Sequence, residues 1–393
     1  MVAYRCSLDP FLHNHKFIMI SCLLAEIGQS SQLACYSTFR KAYLGQRVSR
    51  CYRTYFSHLR LKSTMNLVPN ALPKPKVFVS RRIPEKGFAL LASECDVLSW
   101  NHEDPPPRKD YLTAVRGIQG LFCLLTDTID AELLNEAGPS LRVVSTMSVG
   151  YDHIDVQECR KRNIQIGYTP GILTSATAEL TVTLLLATSR RIKEGVKAVE
   201  NGEWGTWKPM WLCGQGLEGA TVGIVGLGRI GLAVAKRLKP FDIAQILYCG
   251  RSEKPSQALE VGAVFTSFED LLTRSDFVIA CCALTPETHH LFNATAFKQM
   301  KQTAIFINSS RGGIVNQDDL YEALKSGKIR AAGLDVTTPE PLPTDSPLLK
   351  LDNCLVLPHI GSATQSTREA MAVLAARNLL AGLQGKPMPC QIK

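Results

Sequence analysis

Three ionisable side chains, Arg311, Glu340 and His359, each follow an apolar run typical of a strand, at intervals of 29 and 19 positions. An arginine can bind a carboxylate and polarise a carbonyl, a histidine can donate a proton near neutral pH, and a glutamate can keep that histidine charged. Such a set suits hydride and proton addition to a 2-keto acid. Singly, Arg311 and Glu340 could be surface charges and His359 a packed histidine, so their joint placement carries the prediction.

A glycine-rich turn lies between an apolar run and a helical pattern. The segment Gly226-Leu-Gly228-Arg-Ile-Gly231 ends the run that starts at Thr221. In a strand–turn–helix unit, the three glycines allow a tight turn, close approach of a pyrophosphate and close packing of helix on strand. The free amides and the helix dipole favour phosphate. This context predicts a dinucleotide site.

The next strand of that unit ends at Tyr248-Cys249-Gly250-Arg251-Ser252. An acid that binds the ribose 2′-hydroxyl of NAD is expected about 20 residues after the first glycine, and none stands there. Gly250 leaves room, and Arg251 and Ser252 can bind a 2′-phosphate. We therefore predict NADP(H) rather than NAD; the alternative is that Arg251 is a solvated loop cation.

Short apolar runs and helical patterns alternate from Pro73 onward, which predicts an α/β fold with two doubly wound parallel sheets. A long helical pattern, with Ser175 as its cap, runs to about Gly202 and links the two series. A final helix, about Ser366–Leu383, could return to the first. The predicted strands are Lys76–Ile83, Cys95–Trp100, Gly120–Thr126, Leu141–Met147 and Ile164–Tyr168, then the segment Thr221–Gly228 with its glycine turn, Ile246–Cys249, Ala263–Phe265, Phe277–Cys282, Ala304–Asn308, Ala331–Val336 and Cys354–Leu357.

The net charge of +9 is concentrated at one end of the 393-residue chain. Residues 1–66 hold nine Lys/Arg and two acids, whereas the remainder holds 35 and 33. The nearly neutral body gives no indication of nucleic-acid binding. Residues 1–66 could be an organelle transit peptide, or a poorly ordered leader before a start at Met65, so we predict a cytoplasmic protein with a mitochondrial or other organellar alternative.

The composition also argues against other classes. The 13 cysteines are scattered without C-x-x-C or zinc spacing, which indicates a reducing compartment, no disulfide framework and no metal site. The sequence contains no run of about 18 apolar residues, so no membrane span is predicted.

Four long segments carry a resemblance to a known family: residues 145–153 (STMSVGYDH), 207–214 (WKPMWLCG), 222–231 (VGIVGLGRIG) and 357–364 (LPHIGSAT). From about Lys76 to the C-terminus, the chain resembles the D-isomer-specific 2-hydroxyacid dehydrogenases, most closely their glyoxylate reductase/hydroxypyruvate reductase branch. The resemblance implies a Rossmann NAD(P)-binding domain at 173–364 and a discontinuous, flavodoxin-like substrate domain at 73–172 and 365–393, after an extension at 1–72. It implies NADPH-dependent reduction of glyoxylate and hydroxypyruvate. The alternative is an NAD(H)-sensing, corepressor-like binding protein of the same fold.

The resemblance also implies a role for each matching residue. Arg311 would bind and polarise the keto acid, His359 would donate the proton, and Glu340 would be its partner. The amides of Val149 and Gly150 would hold the substrate carboxylate. The cofactor residues would be Gly226, Gly228, Arg229, Ile230 and Gly231 at the pyrophosphate, Arg251 and Ser252 at the 2′-phosphate, and Ser309, Asp335 and Gly361 near the nicotinamide.

Two further residues would contact substrate, and three positions depart from the family pattern. Ser362 would lie in the same crevice, and Trp207 would reach the neighbouring subunit's site, which implies a homodimer; simple packing in the dimer is the alternative. Tyr151 replaces an aliphatic residue, Ala283 a serine and Gly313 an acid. Asp152 and His153, beside the carboxylate loop, are interpreted as supporting residues rather than catalytic ones.

Overall fold

The structure is a computed structural model, and it describes residues 73–393. The predictions for residues 1–72 lie outside the described residues. Within the described range, no helix is both long and apolar enough to cross a bilayer.

The first sheet has six strands in the order β13-β5-β4-β3-β1-β2. All neighbours pair in parallel except β13, which is antiparallel to β5. Its strands are β1 (Lys76–Val79), β2 (Asp96–Ser99), β3 (Gly120–Cys123), β4 (Val143–Thr146), β5 (Gln165–Gly167) and β13 (Gln391–Ile392), and the helices between them are α1 (Glu85–Glu94), α2 (Arg108–Ala114), α3 (Ala131–Ala137) and α4 (Val156–Lys161).

The second sheet has seven parallel strands in the order β12-β11-β10-β9-β6-β7-β8. Its strands are β6 (Thr221–Val225), β7 (Gln245–Cys249), β8 (Ala263–Phe265), β9 (Phe277–Ala280), β10 (Ile305–Asn308), β11 (Ala331–Leu334) and β12 (Cys354–Val356), and its helices are α7 (Arg229–Leu238), α8 (Pro255–Val261), α9 (Phe268–Arg274), α10 (Ala294–Gln299), α11 (Gln317–Lys325) and α12 (Pro347–Lys350).

Helices cover both faces of each sheet, which explains why central strands such as β3, β4, β9 and β10 are buried along their whole length. The last helix, α13 (Gln365–Leu383), returns to the first sheet, where Met371 and Leu379 join the core under β1, β3 and β4. Gly87 of α1 lies so close to Ala372 of α13 that an added Cβ would be 2.7 Å from the alanine Cβ. This close contact fixes α13 against the first sheet.

The linking helical pattern is two helices rather than one, so the prediction of a single helix to Gly202 is wrong. Helix α5 (Thr174–Ser189) ends before Arg191, whose φ of 55° is left-handed, and α6 (Ile192–Glu200) starts in a new direction. The amide of Gln215 donates to the Ser189 carbonyl at 2.9 Å and so satisfies a helix-end acceptor. Ser175 lies inside α5 and is not its cap.

The two strand orders confirm the predicted fold class. Apart from β13, which the sequence analysis did not predict, the first sheet follows the flavodoxin-like order, and the second follows the Rossmann order with one added strand. In such sheets ligands bind beyond the carboxyl ends of the strands, at the point where the order reverses. The described strands are mostly shorter than predicted, because each apolar run continues into the loop at that edge.

Candidate active site

His359 and Glu340 form a hydrogen-bonded pair at the carboxyl edge of the second sheet. Glu340 follows β11 and His359 follows β12, and His359 Nδ1 lies 2.7 Å from Glu340 Oε2. The side chains are 24% and 27% exposed, so Nε2 of the imidazole can be reached by a small molecule. A carboxylate bound at Nδ1 fixes the ring orientation and stabilises the protonated imidazole. The structure therefore brings these two predicted residues together.

The backbone at His359 is held in a strained conformation by Asp335. His359 has a φ of 54°, in the left-handed region that few non-glycine residues adopt. Its amide donates to the Asp335 carbonyl at 2.8 Å, and the Asp335 carboxylate accepts from the amides of Ile360 and Gly361, both at 2.8 Å. Strain of this kind persists only where its surroundings over-determine it. Asp335, predicted near the nicotinamide, thus shapes the loop that carries the histidine.

The charge balance favours ionised Glu340. Burial alone would raise its pKa, but the hydrogen bond and charge of His359, the Thr337 amide and the charge of Arg311 together lower the pKa from its ordinary 4.5. The Thr337 amide donates to Glu340 Oε1 at 3.0 Å. Asp335 behaves differently: burial raises its pKa, although two amides donate to it. The surroundings of Glu340 therefore favour its carboxylate form, whereas burial of Asp335 favours its protonated form.

Arg311 extends from the loop after β10 onto the loop after β4, so it joins the two sheets. Its Nε donates to Asp152 Oδ1 at 3.0 Å, and Nη1 donates to the Ser310 carbonyl at 2.9 Å. A Cβ added at Gly150 would be only 1.6 Å from Arg311 Nη2. Only glycine at position 150 lets the guanidinium lie against the Val149–Gly150 backbone.

The loop that carries Arg311 is shaped by Asn308, a residue that the sequence analysis did not single out. Asn308 is fully buried at the end of β10. Its side-chain amide donates to the Arg311 carbonyl at 2.9 Å, and its oxygen accepts from the amide and the hydroxyl of Ser310. A polar residue at the end of the apolar run Ile305–Asn308 was the signal, since buried polar groups need partners.

Side-chain contacts within the loop after β4 hold its backbone in place. Ser148 Oγ donates to the Gly150 carbonyl at 2.7 Å, and Thr146 Oγ1 lies 3.0 Å from His153 Nε2. Burial lowers the pKa of His153 to about 4, with the Arg311 charge acting in the same direction. His153 is therefore neutral near pH 7 and unsuited to donate a proton, which agrees with its interpretation as a supporting residue.

The glycine-rich turn has the geometry of a phosphate cradle. Gly226 has a φ of 102° and lies against the backbone of Cys281 and Cys282, and a Cβ at Gly231 would be 2.2 Å from the Gly226 carbonyl oxygen. Gly228, by contrast, faces open space and is the N-cap of α7 without a side-chain cap. Helix α7 begins beside this open space, and its first backbone amides include those of Arg229 and Ile230. The turn thus fits a dinucleotide pyrophosphate.

The remaining predicted cofactor residues lie around the same edge. Gly250 has open space in front of it, and Arg251 and Ser252 are exposed. Ser309, which is buried, places its Oγ 2.6 Å from Thr181 Oγ1 of α5. The hydroxyl of Ser309 is therefore already engaged in a contact with the linking helix.

Ser362 and Trp207 lie in very different environments. Ser362 is buried in the loop after His359. Trp207 is 81% exposed, in a segment where Trp204 and Met210 are exposed too. Within the described chain, Trp207 is thus a surface residue and not part of the site around His359.

Comparison with known proteins identifies the family. The family model described as D-isomer specific 2-hydroxyacid dehydrogenase, NAD binding domain, matches residues 182–361. The chain is 56% identical over 320 residues to the glyoxylate reductase/hydroxypyruvate reductase of Homo sapiens, which covers 81% of this chain and 98% of the relative. This chain belongs to the D-isomer specific 2-hydroxyacid dehydrogenase family. The family predicted from the four segments is confirmed.

Solved structures of similar proteins agree with this family. A protein from Thermus thermophilus is 43% identical, with a TM-score of 0.76 over 81% of this chain and all of that one. The NADPH-dependent glyoxylate/hydroxypyruvate reductase from Sinorhizobium meliloti, solved in complex with NADP and malonate, is 28% identical, with a TM-score of 0.70 over 81% of this chain and 97% of that one. As a 2-hydroxyacid dehydrogenase, the chain is an oxidoreductase with a nicotinamide cofactor site.

Proposed function

We propose that the protein uses NADPH to reduce glyoxylate to glycolate and hydroxypyruvate to D-glycerate. One observation carries the proposal: His359, paired with Glu340 at 2.7 Å, lies near Arg311, whose charge lowers the Glu340 pKa. A cation for the carboxylate and carbonyl and an acid for the alkoxide are what 2-keto acid reduction needs from a protein. The related glyoxylate/hydroxypyruvate reductases support the choice of substrates.

Each residue of the proposed site has a separate role in the reaction. The amides of Val149 and Gly150 hold the substrate carboxylate, and the guanidinium of Arg311 draws electron density from the C2 carbonyl. His359 gives its proton to the oxygen at C2, and Glu340 keeps the imidazole charged and oriented until then. The nicotinamide, when bound, supplies the hydride. Ser362 and Gly361 border the same crevice.

Selection of NADP(H) rests on the loop after β7. Arg251 and Ser252 are exposed beside the open space at Gly250, and residues 250–252 include no acid that could bind a 2′-hydroxyl or repel a 2′-phosphate. The related reductase solved with NADP supports this assignment. In the alternative, Arg251 is a solvated cation and the protein accepts NADH equally well.

We further propose a homodimer. The exposed Trp204, Trp207 and Met210 form an apolar surface, and Ile192, Val196 and Val199 expose another on α6. Exposed large side chains in such numbers are typical of an interaction surface. Trp207 would reach the partner's crevice or pack in the interface. Light scattering measures the mass of the protein in solution. If W207A keeps the mass of a dimer but binds substrate more weakly, Trp207 reaches the partner's crevice rather than only packing in the interface.

An assay of NADPH oxidation at 340 nm tests the proposed activity. Purified protein is given glyoxylate, hydroxypyruvate or pyruvate, with NADPH or NADH. We expect turnover with the first two acids and a higher kcat/KM with NADPH. Cofactor binding without turnover of any 2-keto acid would instead support the NAD(H)-sensing, corepressor-like alternative, because an intact catalytic set alone does not exclude it.

A further inference from the structure

The Asp152–Arg311 contact connects the two halves of the crevice. Asp152 lies in the loop after β4 of the first sheet, and Arg311 in the loop after β10 of the second. Their contact, Oδ1 to Nε at 3.0 Å, is a charge-assisted hydrogen bond between parts of the chain 159 positions apart. The position of the Arg311 head group is therefore set by both sheets.

The contact determines which guanidinium hydrogens are left for a ligand. Asp152 takes the Nε hydrogen, and the Ser310 carbonyl takes one hydrogen of Nη1. A guanidinium has five N–H donors in a rigid plane. The other hydrogen of Nη1 and both of Nη2 remain, and Nη2 lies against Gly150 of the predicted carboxylate loop.

Among residues 73–393, Arg311 is the one side chain that donates a hydrogen bond to the Asp152 carboxylate, and the other donor is the backbone amide of Asp152 itself. Burial would raise its pKa, but the charge and hydrogen bond of Arg311 lower it, so Asp152 is ionised at neutral pH. The neighbouring acid Asp155 caps α4 by accepting from the Glu158 amide at 2.9 Å. Two acids three positions apart in one loop thus have separable roles.

We infer that Asp152 is a positioning residue: it fixes the rotation of the Arg311 guanidinium, so that the Nη hydrogens face the bound keto acid. This inference rests on the proposed function and deepens it. Asp152 should therefore act on substrate binding in two opposite ways. By orienting the guanidinium it strengthens binding of the keto acid, and by its negative charge near Arg311 it weakens binding of any anion. Their balance can be measured.

Two substitutions separate these effects. Asp152→Ala removes both the acceptor and the charge, whereas Asp152→Asn removes the charge but keeps an oxygen that can accept from Nε. A positioning role predicts that D152A lowers kcat/KM for glyoxylate at least tenfold, with part of the loss in kcat, and that D152N recovers most of it. Asp155→Asn is the matched control, because asparagine also caps helices; its kinetics should equal those of the wild type.

Oxalate binding gives a readout that does not depend on turnover. Calorimetry with saturating NADPH compares the dissociation constant of oxalate, a planar mimic of a 2-keto acid, in the wild type, D152A, D152N and D155N. We expect about tenfold weaker binding in D152A and near wild-type binding in D152N. Tighter binding in both Asp152 variants, or no change in D152A, would overturn the inference. Failure of the proposed function would appear separately, as a wild type that binds oxalate and turns over no keto acid.

Discussion

The Glu340–His359 and Asp152–Arg311 pairs lie near each other but are built from different parts of the molecule. Two loops of the second sheet build the first pair, and Asp335 holds the histidine backbone from the same sheet. The second pair needs one loop from each sheet. The proposed proton donor can therefore be positioned by loops of the second sheet alone, whereas the cation proposed to bind substrate is held in place only when both sheets are present.

The two pairs also differ in how exposed their side chains are to solvent. The carboxylate of Asp152 is 44% exposed, so its pair with Arg311 contributes only about 0–1 kcal/mol to stability. The Glu340–His359 pair is more enclosed. We therefore expect changes at both pairs to affect activity much more than folding.

The largest effect is expected at His359. Changing His359 to Ala removes the proton donor and should lower kcat by about 10²–10⁴-fold, while the NADPH dissociation constant stays within about twofold of the wild type. Stopped-flow turnover and fluorescence titration of NADPH measure the two quantities. The exposed His102 provides the control, since H102A should be fully active. Wild-type turnover in H359A would remove the histidine from the mechanism.

Gly150 comes next. Changing Gly150 to Ala places a methyl group where Arg311 Nη2 now lies, so the guanidinium must move and kcat/KM should fall by about 10²-fold. NADPH affinity should hardly change, because the cofactor turn belongs to the second sheet. Gly216→Ala, at a position facing open space, is the matched control. If G150A has normal kinetics, the close contact between the two sheets is not required.

At Glu340, a Gln substitution should lower kcat by about 10-fold to 10²-fold. The pKa of Glu340 lies below 4.5, so its negative charge is present throughout the range above pH 5 and stabilises protonated His359. Without that charge, the alkaline fall of kcat should begin at a lower pH, while D152A should keep the wild-type profile. A pH profile from 5 to 10 checks both. An unshifted alkaline limb in E340Q would mean that the pair does not control protonation.

The smallest effect is expected in the exposed loop after β7. The double change R251D/S252A should lower the NADPH-to-NADH ratio of kcat/KM by about tenfold, because the new carboxylate repels a 2′-phosphate and can bind a 2′-hydroxyl. Initial rates with both cofactors measure the ratio, and K350D is a control for a distant charge reversal. A constant ratio would contradict the role of Arg251.

The sequence predicts the fold class and the central pairing well, for identifiable reasons. Parallel strands bring their carboxyl ends to one edge, so residues that follow successive strands, such as Glu340 and His359, are expected to converge. The glycine turn was predictable in the same way, since Gly226, Gly228 and Gly231 each serve a local backbone need.

Contacts that depend on distant segments were not predictable. The break between α5 and α6 depends on Gln215, which is far along the chain from Ser189. The role of Asp335 depends on amides 25 and 26 positions later. The Asp152–Arg311 pair spans two sheets, and nothing in local spacing shows how those sheets face each other. The antiparallel strand β13 was missed because two residues give no periodicity.

A crystal structure of the complex with NADPH and oxalate would show whether Arg311 and His359 bind the same ligand. We expect oxalate between Arg311 and His359, with one carboxylate on the Val149 and Gly150 amides and an oxygen of the other within hydrogen-bond distance of His359 Nε2. Asp152 should remain on Arg311 Nε. Oxalate bound elsewhere, or an Arg311 side chain turned away from it while His359 and Glu340 stay paired, would contradict the account.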